Sequence, residues 1–200
     1  MIQFPPGQHR IFSFFIRAYP WKSTILLAMA ISANFLSMRN SFAAELPLAN
    51  PGFENGLSGW TAKEDEPMTD VIADAAQTGN LGLRVSDSSN EFGSSLLSER
   101  YAVSPGEKLK LTFSAKMISG EGVEVYLRFS DVSKKLLNSQ ESANEIIMNI
   151  ENRLVEWTPL VLEAEAPPEA VWVDVWIHSY VKYNVVCNFD NFDLKKLSNE

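Results

Sequence analysis

AVWVDVWIHS, residues 170–179, alternates between two kinds of side chain and decides the expected fold. Aliphatic residues hold every second position, namely Val171, Val173, Val175 and Ile177, and the positions between them are Trp172, Asp174, Trp176 and His178. A period of two places alternate side chains on opposite faces of a β-strand. One face is therefore an aliphatic core face. The other carries two large aromatics beside a carboxylate and an imidazole, where an antiparallel sheet usually presents small polar groups to water.

Further short strands are predicted along the chain after Ala44. Their ranges are 70–74, 80–86, 94–103, 109–118, 123–130, 145–150, 154–164, 171–178 and 185–194. Turn-forming segments such as QTGN, SPGEK, SGEG and APPEA separate them, and only residues 132–144 have a helical or loop character. About ten short strands with one buried face each predict an all-β fold, a two-sheet antiparallel β-sandwich of the jelly-roll type.

Residues 1–43 have the pattern of an export signal. Their first half contains no acidic residue and carries His9, Arg10, Arg17 and Lys22. The apolar run STILLAMAISANFL follows at 23–36, and it is too short to span a membrane comfortably. The small residues Ser41 and Ala43 then occupy the −3 and −1 positions of an A-x-A-like cleavage site. This pattern predicts a cleaved signal peptide, and a retained membrane anchor is the alternative.

Cleavage between Ala43 and Ala44 would leave residues 44–200 as one exported domain, in the periplasm, at the cell surface or in the medium. The whole chain has a formal net charge of −8, and the predicted signal contains none of its 25 acidic residues. An acidic domain of this kind is a poor partner for nucleic acid or an anionic membrane, which attract clustered Lys and Arg. Cys187 is the single cysteine, so no intramolecular disulfide can stabilise the fold.

Three segments carry a family resemblance. They are NPGFENGLSGWT at 50–61, AVSPGEKLKLTFSAKM at 102–117 and CNFDNFDL at 187–194. In order and spacing they resemble the calcium-containing jelly-roll carbohydrate-binding modules, the CenC-like group that includes families four, nine, sixteen and twenty-two. The matching patterns are N-x-G-F-E…GW, P-G-x-x-Y-x-L-S-F-x-A-K and V-x-F-D-D-V-x-L. Leu109 stands at the usual Tyr position and Asn191 replaces the second Asp. The resemblance covers essentially all of the chain after residue 43 and implies non-catalytic carbohydrate binding.

The resemblance also implies a structural Ca²⁺ near the two ends of the domain. Glu54 matches the carboxylate ligand of the first strand, and Gly52 matches the neighbouring carbonyl donor. Asp190 matches the ligand of the last strand, and further carbonyls are expected from residues 77–80, including Asn80. Ca²⁺ prefers six to eight hard oxygen ligands, many of them carbonyls on irregular backbone. The alternative is that Glu54 and Asp190 are solvated acidic residues in turns.

The tryptophans fall into two classes. Trp60 follows an SG turn and is expected in the core. Trp172 and Trp176 cannot share the aliphatic face of their strand, and four residues separate them by roughly 13 Å, about two or three sugars of an extended glycan. Aromatic rings stack on the apolar faces of sugars while neighbouring polar groups bind the hydroxyls. Asp174 and His178 lie between and beside the two tryptophans and are candidates for that polar role.

A strand at 123–130 beside this one would extend the surface by three polar side chains, Glu124, Tyr126 and Arg128. These seven residues are the predicted glycan-binding set. Two alternatives remain for the aromatics: the 179–184 loop covers them, or they form a patch for a protein partner, as in a surface adhesion or assembly protein.

An enzymatic role is the weaker expectation. Glu124 and Asp174 could face each other across a groove, as the paired carboxylates of glycoside hydrolysis do. Tyr126, Arg128 and His178 could imitate a polysaccharide-lyase site. Neither set forms a spaced motif, and the sequence contains no G-x-S-x-G, zinc-ligand spacing or phosphate loop. Modules of this kind usually accompany a catalytic domain, so a carbohydrate-active enzyme acting in trans is a possible partner.

Overall fold

The structure is a computed structural model that describes residues 45–62, 68–137 and 147–197. These residues form twelve β-strands and one short 3-10 helix, Ala73–Ala75, and none of them lies in an α-helix. The strands are β1 Glu45–Leu46, β2 Trp60–Ala62, β3 Thr69–Ile72, β4 Gly82–Asp87, β5 Ser95–Ser98, β6 Tyr101–Ala102, β7 Lys108–Gly120, β8 Val123–Ser130, β9 Ile147–Asn149, β10 Thr158–Glu165, β11 Trp172–Ser179 and β12 Val185–Lys196.

The strands form two six-stranded antiparallel sheets. In the first sheet the order is β10-β7-β12-β4-β3, with β1 also paired to β12. In the second sheet the order is β2-β5-β11-β8-β9, with β6 also paired to β11. The buried apolar side chains of both sheets belong to one core cluster. The predicted two-sheet β-sandwich is therefore confirmed.

Strand β11 occupies the middle of the second sheet, and its alternation is the predicted one. Val173, Val175 and Ile177 are fully buried in the core, and so are Leu127 and Phe129 on the neighbouring β8. A slip of one residue would exchange this aliphatic set for the polar and aromatic one, so the register of β11 is strongly specified. The same register fixes which side chains face outward.

Trp60 is buried in the core, as predicted, with 6% of its surface exposed. Its ring packs against Phe53 at 5.2 Å and Phe192 at 5.5 Å between centroids. The indole N–H donates a hydrogen bond to the carbonyl of Ala49 at 3.1 Å. Burial of a large ring whose polar atom has a partner is strongly stabilising.

The observed strands differ from the predicted ones in several places. The strand predicted at 70–74 ends at Ile72, because the 3-10 helix Ala73–Ala75 follows it directly. The strand predicted at 94–103 is divided into β5 and β6, because the N–H of Glu99 bonds to the carbonyl of Gly59 at 3.1 Å and Arg100 turns its side chain towards β11. The strand predicted at 154–164 begins later, at Thr158, because a tight turn closed by Leu154 precedes it. Strands β1 and β2 have two and three residues, which is too short for alternation to indicate them.

The predicted signal peptide, residues 1–43, lies outside the described residues. Over the described part of the 132–144 segment, the chain forms turns and one isolated bridge between Ser130 and Leu136. Among the described residues, no helix is long and apolar enough to cross a membrane.

Candidate functional site

The outward face of β8 and β11 brings the predicted glycan-binding residues together. The two strands are direct neighbours, with Asp174 opposite Arg128, Trp176 opposite Tyr126 and His178 opposite Glu124. Directly opposed side chains on one face are about 4.5–5.5 Å apart at Cβ, so they interact in pairs. We call this surface the aromatic face: it comprises Glu124, Tyr126, Arg128, Trp172, Asp174, Trp176 and His178.

Asp174 is a buried member of the aromatic face. Its side chain is only 4% exposed, and Oδ1 accepts a hydrogen bond from Nε of Arg128 at 2.7 Å. Its other oxygen, Oδ2, lies 3.4 Å from Nε of Arg100, the residue at the break between β5 and β6. A buried carboxylate needs such partners to offset its loss of hydration. Asp174 therefore holds two guanidinium groups in place, and these groups reach the surface.

Trp176 is half-buried and is held by four neighbours. Its indole N–H donates to Oγ of Ser95 at 2.8 Å. His178 stacks on the ring with centroids 4.3 Å apart, and Tyr126 packs against it at 4.9 Å. Arg128 places its guanidinium carbon 5.0 Å from the ring centroid, a cation–π distance. His178 lies two residues after Trp176 on the same strand. Arg128 lies opposite Asp174, two residues before Trp176. The imidazole and the guanidinium therefore approach the Trp176 ring from opposite directions along the strand.

Trp172 has a different environment from Trp176. It is also half-buried, and it lies at the start of β11 opposite Ser130 on β8 and Ala102 on β6. Neither neighbour is large, and within the described residues its ring makes no aromatic or cation–π contact. Of the two predicted stacking residues, Trp172 is therefore the one whose ring is not engaged by aromatic or cationic side chains of the described residues.

Glu124 is the acceptor at the other end of the aromatic face. Its Oε2 accepts hydrogen bonds from the hydroxyls of Tyr126 at 2.5 Å and Tyr180 at 2.8 Å, and these hydroxyls also contact each other. Its Oε1 accepts from Nδ2 of Asn149 at 3.0 Å. Burial, reinforced by the hydrogen bonds to Glu124 and Tyr180, raises the pKa of the Tyr126 phenol. Burial also raises the pKa of Tyr180, so both phenols stay protonated and act as donors.

These contacts bear on the two enzyme hypotheses. Both oxygens of Asp174 contact arginines, and Glu124 accepts three hydrogen bonds from protein groups. Neither carboxylate is poised as the free acid or nucleophile that glycoside hydrolysis requires. The raised pKa of Tyr126 makes this phenol a poor base for a lyase reaction.

A cleft of about 560 Å³ opens at the Glu124 end of the aromatic face. Its walls come from the β7–β8 turn, the chain after β9 and the chain after β11. We call it the end cleft; the lining residues of most interest are Glu121, Glu124, Asn149, Asn152, Tyr180 and Tyr183. Its volume lies in the range of roughly 300–1,000 Å³ that is usual for small-molecule sites. Glu124 and Tyr180 belong to its wall and also contact the aromatic face, so the two surfaces are continuous.

Glu54, near the start of the described domain, binds the loop that follows the 3-10 helix. Its Oε1 accepts hydrogen bonds from the N–H groups of Asn80 at 2.9 Å and Leu81 at 3.1 Å, and these bonds lower the pKa of the carboxyl. Its Oε2 has only a 3.5 Å contact with Nδ2 of Asn80. Gly79 is required beside it: φ is +70°, and an added Cβ would lie 2.1 Å from Oε1.

Asp190 binds the same loop from the other end of the chain. It is fully buried, and its Oδ2 accepts hydrogen bonds from the N–H groups of Gln77 at 2.8 Å and Thr78 at 3.0 Å. Its Oδ1 accepts a hydrogen bond from the N–H of Asn191 at 2.7 Å. Gly52 lies beside this oxygen, since a Cβ built on Gly52 would be 3.4 Å from Oδ1. A β-bulge between residues 190 and 193 lets Asp190 face the loop while Phe192 turns into the core.

The four predicted metal-site residues therefore lie around one loop, residues 77–81. Each carboxylate oxygen has more than one lone pair, so Oδ1 of Asp190 and Oε2 of Glu54 keep capacity for a cation. Asn80 presents N–H groups to Glu54 in this arrangement. No group of three or more His, Cys, Asp or Glu side chains with metal-site geometry occurs among the described residues. A cation here would need carbonyl or water oxygens to complete its shell, as Ca²⁺ commonly does.

Comparison with known proteins finds similar structures but no matching sequence family. The chain matches no family model and no curated protein. Among solved structures, a family 16 carbohydrate-binding module superposes with a TM-score of 0.55 at 18% identity, over 74% of this chain and 97% of that one. The CBM22-1 xylan-binding domain from Paenibacillus barcinonensis Xyn10C gives 0.53 at 15% identity, over 79% of this chain and 97% of that one. The fold is that of the jelly-roll carbohydrate-binding modules.

An enzyme also contains this fold. The enzymatically active domain of a bacteriophage CBA120 tailspike protein has a TM-score of 0.59 at 14% identity, over 75% of this chain. The chain spans only about a fifth of that protein, 21% of its length. At such low identity these likenesses establish the architecture, and the function has to be argued from the residues of the site.

Several residues of the site could not be recognised in the sequence. Arg100 and Ser95 come from β5 and its end, and they bind Asp174 and Trp176 through side chains that show no periodic signal. Tyr180 and Tyr183 lie in the loop after β11, for which the sequence analysis offers only a cover over the tryptophans as an alternative. Knowledge that β5 pairs with β11 would have identified Ser95, because this pairing places Ser95 opposite His178.

Proposed function

We propose that this protein is an exported, non-catalytic carbohydrate-binding module that holds a glycan on its aromatic face. The observation that carries the proposal is the pre-ordered row of side chains on β8 and β11. In this row a buried Asp174 fixes two arginines, Trp176 is held by its neighbours, and the half-buried Trp172 lies four residues before it on the same face. Groups that are already fixed lose little conformational entropy when a ligand binds.

The chemistry of the face suits an uncharged or weakly charged polyol chain. The Trp172 ring offers an apolar surface to the C–H face of a sugar. Arg128 and Arg100 have N–H groups beyond those that bind Asp174, and they can donate to hydroxyls. The negative charge of Asp174, which balances the two arginines, is buried, while the guanidinium N–H donors of Arg100 and Arg128 reach the surface. Recognition by one or two rings and a few directed polar groups is the usual composition of a small-molecule site.

Affinity electrophoresis of the purified protein through glucans, xylans, mannans and alginate tests this function. We expect retardation by at least one polysaccharide without its cleavage, and Trp172→Ala should weaken binding by roughly 1–3 kcal/mol, a five- to 150-fold loss. Val161→Ala is a matched control, because Val161 is exposed on the other sheet. Unretarded migration in every gel would contradict glycan binding, and shortening of a bound glycan would indicate an enzyme.

We further propose that Glu54 and Asp190 hold a structural Ca²⁺ with oxygens of the surrounding loop. The support is the convergence of the two carboxylates on residues 77–81 and the remaining lone pairs of their oxygens. When bound, the ion would supply a positive charge that joins the two ends of the domain, in a chain with a single, buried cysteine. An ion that binds the native state and not the unfolded chain stabilises the fold by mass action.

Export by cleavage between Ala43 and Ala44 is part of the same proposal. It is supported by the basic start, the apolar run and the small residues of 1–43. A module that binds a polysaccharide outside the cell can concentrate a separate carbohydrate-active enzyme there, so such an enzyme in trans is the protein partner we propose.

A further inference from the structure

The end cleft is built from three segments that support one another. The N–H of Tyr180 donates to the carbonyl of Gly122 at 3.0 Å, and the N–H of Glu121 donates to the carbonyl of Asn184 at 3.3 Å. A turn closed by the N–H of Tyr183 and the carbonyl of Tyr180 at 3.2 Å shapes the rim. These bonds tie the chain after β11 to the β7–β8 turn. The chain after β9 is joined to the start of β8 by the N–H of Ile150, which donates to the carbonyl of Val123 at 3.1 Å.

Two backbone features keep Tyr183 on the rim. Gly122 has a φ of +88°, and a Cβ added to it would lie 2.6 Å from Cβ of Tyr183, so only glycine permits this approach. Lys182 has a φ of +78° although it is not glycine. Backbone held in this region is costly, and residues of this kind cluster at ligand-binding sites. The strain at Lys182 falls in the loop that positions the two tyrosines.

The side chains of the cleft are those that sugars require. Tyr180 and Tyr183 are 38% and 46% exposed, so they offer aromatic surface to a ligand. The Tyr180 hydroxyl is fixed on Glu124, and so is the amide nitrogen of Asn149, which leaves the Asn149 carbonyl as an acceptor. Asn152 adds a second amide to the wall. Aromatic rings with amide and phenol groups can pack on a sugar ring and bind its hydroxyls.

The charge of the cleft selects among glycans. Three carboxylates line it, those of Glu121, Glu124 and Glu151. Arg153 pairs with Glu151, and Lys182 lies on the rim shared with an adjoining hollow. The carboxylates of Glu121 and Glu124 thus dominate the interior, and a carboxylate on the ligand would be repelled there. An uncharged sugar would avoid this repulsion.

We propose that the end cleft is a second sugar-binding site, continuous with the aromatic face, that takes a residue of an uncharged glycan and rejects uronates. This inference rests on the proposed glycan-binding function. It assigns a ligand class to a surface made by Tyr180, Tyr183, Asn149 and Asn152, of which the sequence had suggested only a covering loop.

The test is calorimetric titration of the purified protein with xylohexaose, cellohexaose and mannohexaose, and with hexagalacturonate and an alginate hexamer. We expect at least one neutral hexasaccharide to bind roughly tenfold or more tightly than either uronate. Tyr183→Ala should weaken the neutral ligand about five- to 30-fold. Val161→Ala, whose side chain is also 46% exposed, should bind as the parent does. Glu121→Gln should narrow the gap between neutral and uronate ligands.

The controls separate this inference from the proposed function. Melting curves of Tyr183→Ala should match those of the parent, because the ring is exposed. Asn152→Ala is a second, smaller truncation in the wall of the same cleft. If both variants bind like the parent while Trp172→Ala binds weakly, the cleft is not a sugar site and the aromatic face stands. Equal or tighter binding of the uronates would overturn the charge selection. Binding of none of the five probes would overturn the proposed function and this inference together.

Discussion

Replacing each outward tryptophan of β11 by alanine should destabilise the protein unequally. Trp172 and Trp176 are both half-buried on one strand, so the loss of buried apolar area is similar and largely cancels in the comparison. What differs is the set of directed contacts. Trp176 has a hydrogen bond to Ser95, two aromatic neighbours and the guanidinium of Arg128. Within the described residues, Trp172 has no contact of these kinds.

The expected difference follows from the contacts. The hydrogen bond from Nε1 to Ser95 contributes about 0.5–1.5 kcal/mol. The packing of Tyr126 on the ring adds about 0.5–1.5 kcal/mol, and the cation–π contact with Arg128 adds about 0.5–1 kcal/mol. Because neighbouring contacts do not add fully, we expect Trp176→Ala to cost about 2–3 kcal/mol more than Trp172→Ala. For a domain of this size that difference lowers the melting temperature by roughly 4–12 °C.

Urea unfolding of both variants, monitored by circular dichroism, measures this difference directly. Trp176→Phe is the matched control: it keeps a ring between His178 and Arg128 but loses the N–H, so it should cost only about 1 kcal/mol relative to the parent. Free energies of unfolding that agree within about 0.5 kcal/mol for the two alanine variants would refute the reasoning, because errors of that size are usual in such comparisons.

Three further outcomes are expected. Chelator should lower the melting temperature, and Ca²⁺ at 100 times its Kd should raise the free energy of unfolding by about 2.7 kcal/mol. Glu54→Ala and Asp190→Ala should respond to neither treatment. An unchanged melting curve of the parent under both treatments would contradict the proposed ion. Amino-terminal sequencing of exported protein should begin at Ala44, whereas an intact Met1 on membrane-bound material would favour the anchor. The raised pKa of Tyr126 means that native protein favours the neutral phenol, so stability should be full below about pH 10 and decline above it. Tyr126→Phe should show a shallower alkaline decline in melting temperature, and an unchanged decline would exclude this phenol as a cause.

The pattern of β11 and β8 could be read from the sequence because it depends on periodicity alone. Strict alternation placed Val173 and Val175 in the core and Trp172 and Trp176 outside, and the structure confirms this arrangement. Periodicity does not predict that β8 and β11 are neighbours. The structure shows it through eight paired residues.

The inequality of the two tryptophans could not be read in this way. It depends on Ser95 and Arg128, whose side chains contact Trp176 from two other strands. The burial of Asp174 has the same origin, since Arg100 reaches it from a break in the ladder 74 residues away. Periodicity assigns a side chain to a face but does not reveal how deeply its neighbours cover it. The convergence of Glu54 and Asp190 was expected only through family resemblance, because no local pattern links positions so distant in the chain.

The pairing of β1 with β12 has a mechanical consequence. Glu45 lies opposite Lys195 and Leu46 opposite Leu194, so the two ends of the described domain lie side by side at one end of β12. A pulling force applied through these ends would load the hydrogen bonds one after another, as in opening a zipper, and β1 would peel away at low force. The next resistance to unfolding under force would come from the hydrogen bonds of Glu54 and Asp190 to the backbone of residues 77–81. Tension carried by a bound polymer would instead enter through β11, in the middle of the second sheet, where neighbouring strands on both sides share the load.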